Sequence, residues 1–241
     1  MDSKIKIIKF LEKHIEDLIG SGGSGCALSQ PNFDITPRDF LDFAEKDLEQ
    51  PNSIHSLVNA TSNLKRAIDC QLDSFLILLN LDNFYRKKRL GVDRKLGFLE
   101  KAGLFRSKSL EKLNRLRNRL EHHYEIPEIE DVEVYYDLVV AFVSVIEGAM
   151  PLVGHSSELV MELKGGGSIS TTYISEKPCI QIELNHKNSE LELCFNCDLS
   201  EADSNIEKLE EFAFFFKAHS LLRLYDEGIS SSKHVLKMLN K

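Results

Sequence analysis

The sequence predicts an α+β protein that is mainly a helical bundle, followed by a small C-terminal unit of β-hairpin plus helix. Two observations predict this order. Apolar residues recur every three or four positions as far as residue 150, and they alternate at every second position between residues 180 and 199. Helical spacing then returns over residues 201–224. With 241 residues, of which 42% are hydrophobic, the chain is long enough to bury a sizeable core.

The first segment, residues 1–35, is predicted to contain a helix and a connector. Apolar residues at helical spacing predict an amphipathic helix over about residues 4–19. The following GSGGSG, residues 20–25, formally matches the dinucleotide fingerprint G-x-G-x-x-G, which requires a preceding strand and a following helix. Because a helix precedes it here, we interpret this stretch as a flexible connector.

Residues 36–150 are predicted to form the helical domain. Thr36 followed by Pro37 is typical of a helix start, and a long helix without Gly or Pro is expected over residues 53–85. A further helix should end near Gly103. The next one carries a leucine stripe and closes at Pro127, and the last is apolar nearly all round, which predicts the buried helix of a bundle.

Residues 151–241 are predicted to form a β-plus-α extension. The alternating stretches 180–184 and 191–199 flank turn residues and predict a hairpin. ELVMEL and SISTTYIS form a second candidate pair of strands. These strands are too few for an independent sheet of any size, so we expect the unit to pack on the bundle.

Composition favours a cytoplasmic protein with no membrane partner. The first twenty residues mix acids and bases, unlike a secretory signal, and the longest apolar run, residues 138–146, is far shorter than the roughly 20 residues of a membrane-spanning helix. The five cysteines are odd in number and scattered, which is typical of reduced thiols.

Cys194 and Cys197 resemble half of a metal or redox site. Residues three apart on a strand point to opposite faces, so we expect Cys197 to join the apolar face and Cys194 to face away. A second, similarly spaced ligand pair is missing from the sequence. We therefore predict no metal site and no cofactor.

The net charge of −8 argues against indiscriminate binding to nucleic acid, but the charge is unevenly distributed. Residues 86–119 contain thirteen Lys or Arg and three acids, a local charge of +10, so that the remainder carries −18. Such a region can attract phosphates even on an acidic protein, although solvated basic helices would give the same count. The candidate RNA-binding residues are Arg86, Lys87, Lys88, Arg89, Arg115 and Arg119.

The stretch RLRNRLEHHYEIP, residues 115–127, contains an arginine at an unexpected place. On an ideal helix Leu113, Arg117, Leu120 and Tyr124 share one face, so Arg117 stands where a leucine would be expected. A buried pair with a carboxylate from a neighbouring helix would explain this position. A functional role would also explain it.

Arg117-Asn118-x-x-x-His122-x-Tyr124 resembles the R-N-x-x-x-H-x-Y signature of HEPN domains, which are helical ribonuclease-like modules of toxin–antitoxin and antiviral-defence systems. The resemblance covers roughly residues 36–150. It implies that Arg117 and His122 are the catalytic pair, that Asn118 is a supporting polar group and that a cognate antitoxin nucleotidylates Tyr124.

The resemblance further implies a homodimer that cleaves RNA without a metal. A histidine can deprotonate the ribose hydroxyl or protonate the leaving oxygen, while an arginine stabilises charge on the phosphorane. Residues five apart are about 140° apart around an ideal helix, so Arg117 and His122 need either a distorted last turn before Pro127 or a composite cleft between two chains. His123 is the alternative catalytic histidine.

Two other functions stay open at this stage. The first is a catalytically silent HEPN-like module that binds nucleotide, RNA or a regulatory protein. The second is a structural interaction bundle in which Arg117 pairs with an internal carboxylate.

Overall fold

The computed structural model describes residues 2–25, 31–49, 53–106, 108, 115, 123, 125–126, 128–154, 157–174, 176–186, 193–200 and 205–241. These residues form a mixed α+β protein that is mainly helical, as predicted. The helices are α1 (Asp2–His14), α2 (Pro37–Glu49), α3 (Ile54–Leu78), α4 (Asp82–Lys87), α5 (Val92–Lys101), α6 (Ile129–Ala149), α7 (Pro151–Gly154), α8 (Ile206–Asp226) and α9 (Ser232–Leu239), and a 3-10 turn spans Ile15–Asp17.

The strands form one antiparallel sheet in which each strand pairs with the next along the chain. Both predicted strand pairs are present, and in the β4–β5 hairpin Ile182 lies opposite Phe195. We expected too few strands for a sheet of any size, and this expectation is wrong. The N-terminal segment contributes a fifth strand, which lies at one edge of the sheet. The strands are β1 (Leu18–Ser24), β2 (Glu158–Leu163), β3 (Gly167–Ile174), β4 (Cys179–His186) and β5 (Leu193–Asp198).

The glycine-rich stretch after α1 is part of strand β1 and is not the flexible connector that the sequence predicted. The helix also ends earlier than predicted, at His14. Gly23 pairs with Leu159, and a Cβ on Gly23 would lie 2.5 Å from the carbonyl oxygen of Glu158. Glycine is therefore required here by close approach of two backbones, a reason that composition alone does not reveal.

The long helix predicted over residues 53–85 is in fact two helices. Ser53 caps the start of α3 by accepting a hydrogen bond from the backbone N–H of Ser56. After Leu78 the chain turns at Asn80, whose φ of 55° is left-handed, a conformation that asparagine tolerates. The Asn80 side chain donates to the Tyr173 hydroxyl of β3 at 3.0 Å, so this turn joins the bundle to the sheet.

Helix α8 lies at the centre of the molecule. All eleven residues from Phe212 to Leu222 are buried. Phe216 packs edge to face on Phe75 of α3 at 5.9 Å between ring centroids, and Phe212 packs on Phe98 of α5 at 6.3 Å. On another side, the ring of His219 is hydrogen-bonded to Thr171 of β3.

Helix α6 closes the bundle but is buried on one face only. Val139, Phe142 and Ile146 are fully buried, whereas Val134 is 65% exposed, so the prediction of a helix buried all round is wrong. The stretch Asp131–Val153 is long and apolar enough to cross a membrane by length and composition alone. About 33% of its apolar window is buried, and the buried face packs against α3 and α2.

Two glycines of β1 provide a matched test of its strand geometry. Gly23→Ala should lower the free energy of unfolding by about 1–3 kcal/mol, because the added methyl group overlaps the β2 backbone. Gly22→Ala should change it by less than about 0.5 kcal/mol, because nothing lies within 4 Å of a Cβ there. Urea unfolding of both variants measures the difference. Equal effects would contradict the pairing of β1 with β2.

Candidate functional site

The predicted catalytic motif lies in the chain between the end of α5 at Lys101 and the start of α6 at Ile129. Arg117, Asn118, His122 and Tyr124 lie outside the described residues. The same is true of Arg119, one of the predicted RNA-binding residues. Their roles therefore stay predictions.

Two described residues of this stretch, Arg115 and His123, are exposed to solvent. The backbone at His123 has π-helical geometry. π-turns are rare, are hydrogen-bonded between residues five apart, and occur frequently at functional sites. The backbone at His123 therefore departs from ideal α-helical geometry.

The other predicted RNA-binding residues form a basic cluster, Arg86 to Arg89, at the end of α4. Phe84 and Tyr85 immediately before it are buried and anchor the helix, whereas all four cationic residues are exposed. Arg86 pairs with Asp82 at 2.8 Å, and Arg89 has a left-handed φ of 53° that ends the helical turn. The structure thus brings four consecutive cations to the surface, with one of them paired to a carboxylate.

The cysteine pair on β5 has the geometry that strand alternation predicts. Cys194 is exposed and lies opposite Glu183, whereas Cys197 is 0% exposed and lies opposite Ile180. The Cys197 thiol donates to the carbonyl oxygen of Lys208 at 3.6 Å, and burial raises its pKa to about 12. Within the described part of the chain, no group of three or more His, Cys, Asp or Glu side chains is arranged to hold a metal ion.

Two buried polar residues of α8, Lys217 and His219, were missed by the sequence interpretation. The His219 ring bonds to Thr171 Oγ1 at 2.7 Å and donates from Nε2 to the carbonyl oxygen of Leu152 at 3.3 Å, which satisfies a buried imidazole. Lys217 lines a cleft. The sequence does contain a signal for these two residues, because a lysine and a histidine interrupt the mainly apolar stretch FAFFFKAHSLL.

Comparisons with protein-family models, with curated proteins and with solved structures find no match to this chain.

The two β5 cysteines should differ in chemical reactivity. Iodoacetamide added to the native protein near pH 8 should label Cys194, while Cys197 should react at least about tenfold more slowly, because its thiol is buried and its pKa is raised. Peptide mass mapping over time measures both rates in one sample. Labelling in urea is the control, since unfolding should remove the difference. Equal rates in the native protein would show that the two thiols share one environment.

Proposed function

We propose that the protein is a metal-independent endoribonuclease of HEPN type that acts in a toxin–antitoxin or antiviral-defence system. The observation that carries the proposal is the motif Arg117-Asn118-x-x-x-His122-x-Tyr124, in the segment between α5 and the bundle helix α6. Arg117 and His122 are the proposed catalytic pair. Asn118 is a supporting polar group, and Tyr124 is the proposed site of nucleotidylation by an antitoxin.

In the proposed reaction His122 removes the proton from a ribose 2′-hydroxyl, whose oxygen attacks the adjacent phosphorus. The 5′-oxygen leaves and takes a proton from a second acid, either His122 of the other chain or His123. A 2′,3′-cyclic phosphate remains. Arg117 stabilises the extra negative charge of the phosphorane, and its planar fork matches two phosphate oxygens.

The spacing of Arg117 and His122 is five residues, which an ideal α-helix places on different faces. The proposed pair therefore needs either a local departure from α-helical geometry or a composite cleft between two chains, and the π-helical backbone at His123, the next residue after His122, is in keeping with the first of these. The proposal includes a homodimer, in which two motif helices meet and form a composite cleft as in the resembled family.

The exposed basic cluster, Arg86 to Arg89, supports RNA as the substrate. Three of its four cations have no ion pair to a residue that the structure describes, so they are available to phosphates. Arg115, two residues before the motif, is also exposed. Contacts of this kind position the RNA backbone and carry no sequence information.

Purified protein should cleave a fluorescent single-stranded RNA in EDTA, and both Arg117→Ala and His122→Ala should abolish cleavage. Arg117→Lys should restore little activity, because lysine lacks the planar fork. Each variant is compared with wild type by circular dichroism to establish that it is folded. Cleavage retained in His122→Ala but lost in His123→Ala would transfer the catalytic role to His123. Binding without cleavage by the wild-type protein would favour the silent RNA-binding module.

The rate of cleavage should follow a bell-shaped curve around neutral pH. One histidine must be neutral to accept a proton and another must be charged to donate one, so the rate falls when either condition fails. Single-turnover rates between about pH 5 and pH 9 measure this curve, since histidine titrates within that range. A rate that is constant over the whole range would exclude a mechanism with two histidines.

Reversing charges in the basic cluster should weaken RNA binding and reduce its dependence on salt. Lys87→Glu with Lys88→Glu removes two phosphate contacts, so the slope of log affinity against log salt should fall by about 1.4. The control is Lys233→Glu with Lys237→Glu, which changes the net charge equally at exposed positions of α9. Fluorescence anisotropy at several salt concentrations measures both. Equal losses in the two double variants would assign the effect to net charge alone.

A further inference from the structure

A cleft of about 930 Å³ lies between α1, the end of α5, α8 and the C-terminal end of α9. This volume is within the range of roughly 300–1,000 Å³ that is typical of small-molecule sites. Half-buried apolar side chains, Leu104, Phe105 and Met238, form part of its lining. The cleft is formed by residues outside the predicted catalytic motif.

Lys217 of α8 is the buried charge of this cleft. The residue is only 8% exposed, and its aliphatic chain lies over Gly103, where a Cβ would be 3.3 Å from Cγ of Lys217. Gly103 has a φ of +76°, so glycine provides both the turn after α5 and the space for this chain. Lys217 has no hydrogen-bond or ion-pair partner among the described residues, and its side chain lines the cleft.

Two further lysines lie close to Lys217 in the same cleft. Lys4 comes from α1 and places its ammonium 5.2 Å from the centroid of the Phe214 ring, and Lys241 follows α9. Burial lowers the pKa of Lys217, and the charges of Lys4 and Lys241 lower it further. Three cations from three elements therefore converge where an anion would relieve their mutual repulsion.

Four glutamates also line the cleft, and they restrict the kind of anion that it accepts. Glu210 forms an ion pair with Lys101, and Glu211 accepts a hydrogen bond from Ser3 at 2.6 Å. Glu100 and Glu207 complete the acidic lining. A polyanion such as RNA would be repelled by these carboxylates, whereas a small molecule has to present only one anionic end to the lysines.

We propose that this cleft binds a small organic phosphate, with the phosphate held by Lys217, Lys4 and Lys241 and an apolar body packed against Leu104, Phe105 and Met238. A phosphate dianion matches several ammonium groups at once and accepts a charge-assisted hydrogen bond from each. None of these residues belongs to the proposed ribonuclease motif. Binding to this cleft is measured without RNA, so the result tests this proposal independently of the proposed ribonuclease activity.

Isothermal titration with adenosine monophosphate, adenosine and inorganic phosphate tests the proposal. Adenosine monophosphate should bind most tightly, inorganic phosphate should bind more weakly, and adenosine should bind at least about tenfold more weakly than the monophosphate. Lys217→Met retains the buried chain without its charge and should weaken binding of the monophosphate by about tenfold or more. Lys237→Met removes an exposed lysine of α9 outside the cleft and should leave the affinity unchanged.

A labelling experiment on the wild-type protein gives a second readout that does not depend on how Lys217→Met folds. At ten times its Kd, the monophosphate occupies about nine tenths of the sites, so acetylation of Lys217 should slow by about tenfold while that of Lys237 stays constant. Peptide mass mapping measures both. Failure of the monophosphate and of phosphate to bind at about 10 mM would overturn the proposal. Equal affinity for adenosine, or unchanged labelling of Lys217, would overturn it too.

Discussion

The burial of the central part of helix α8, residues 212–222, on every side is the constraint on which the rest of the structure depends. A helical segment that is buried all round has no face in contact with water, so it must be covered by several elements at once. Phe216 meets α3, Phe212 meets α5, and His219 meets β3. Separating either the bundle or the sheet from α8 would therefore expose a large apolar surface. The two layers consequently share one core.

The same constraint fixes the end of α5, where the two proposed sites come close together in the chain. Phe98 holds α5 against α8, and Gly103 then turns the chain over the Lys217 side chain. Leu104 to Arg106 line the cleft, and the segment with the catalytic motif follows directly. A ligand in the cleft would therefore contact the residues through which the proposed catalytic segment is attached to the core.

Much of the fold could be predicted from the sequence, because most elements carry their own apolar period. The hairpin of β4 and β5 and the separation of Cys194 from Cys197 follow from alternation alone. Strand β1 could not be predicted, since glycines have no side chains to alternate and the reason for Gly23 is the distant backbone of Glu158. The interruption between α3 and α4 at Asn80 could not be predicted for a similar reason, because the hydrogen-bond partner of Asn80, Tyr173, is 93 residues away in the chain.

The candidate sites differ in how far sequence can reveal them, and the difference is physical. The basic cluster at Arg86 to Arg89 consists of four consecutive residues, so the sequence alone predicts four exposed cations. The cleft gathers Lys4, Lys217 and Lys241 from both ends of the chain, and only the packing of α1 against α9 and of α9 against α8 brings them together. Phosphate backbones of RNA are matched by an exposed surface of cations, whereas a small organic phosphate is matched by a concave cleft. The exposed cluster and the cleft therefore suit different ligands on one acidic protein.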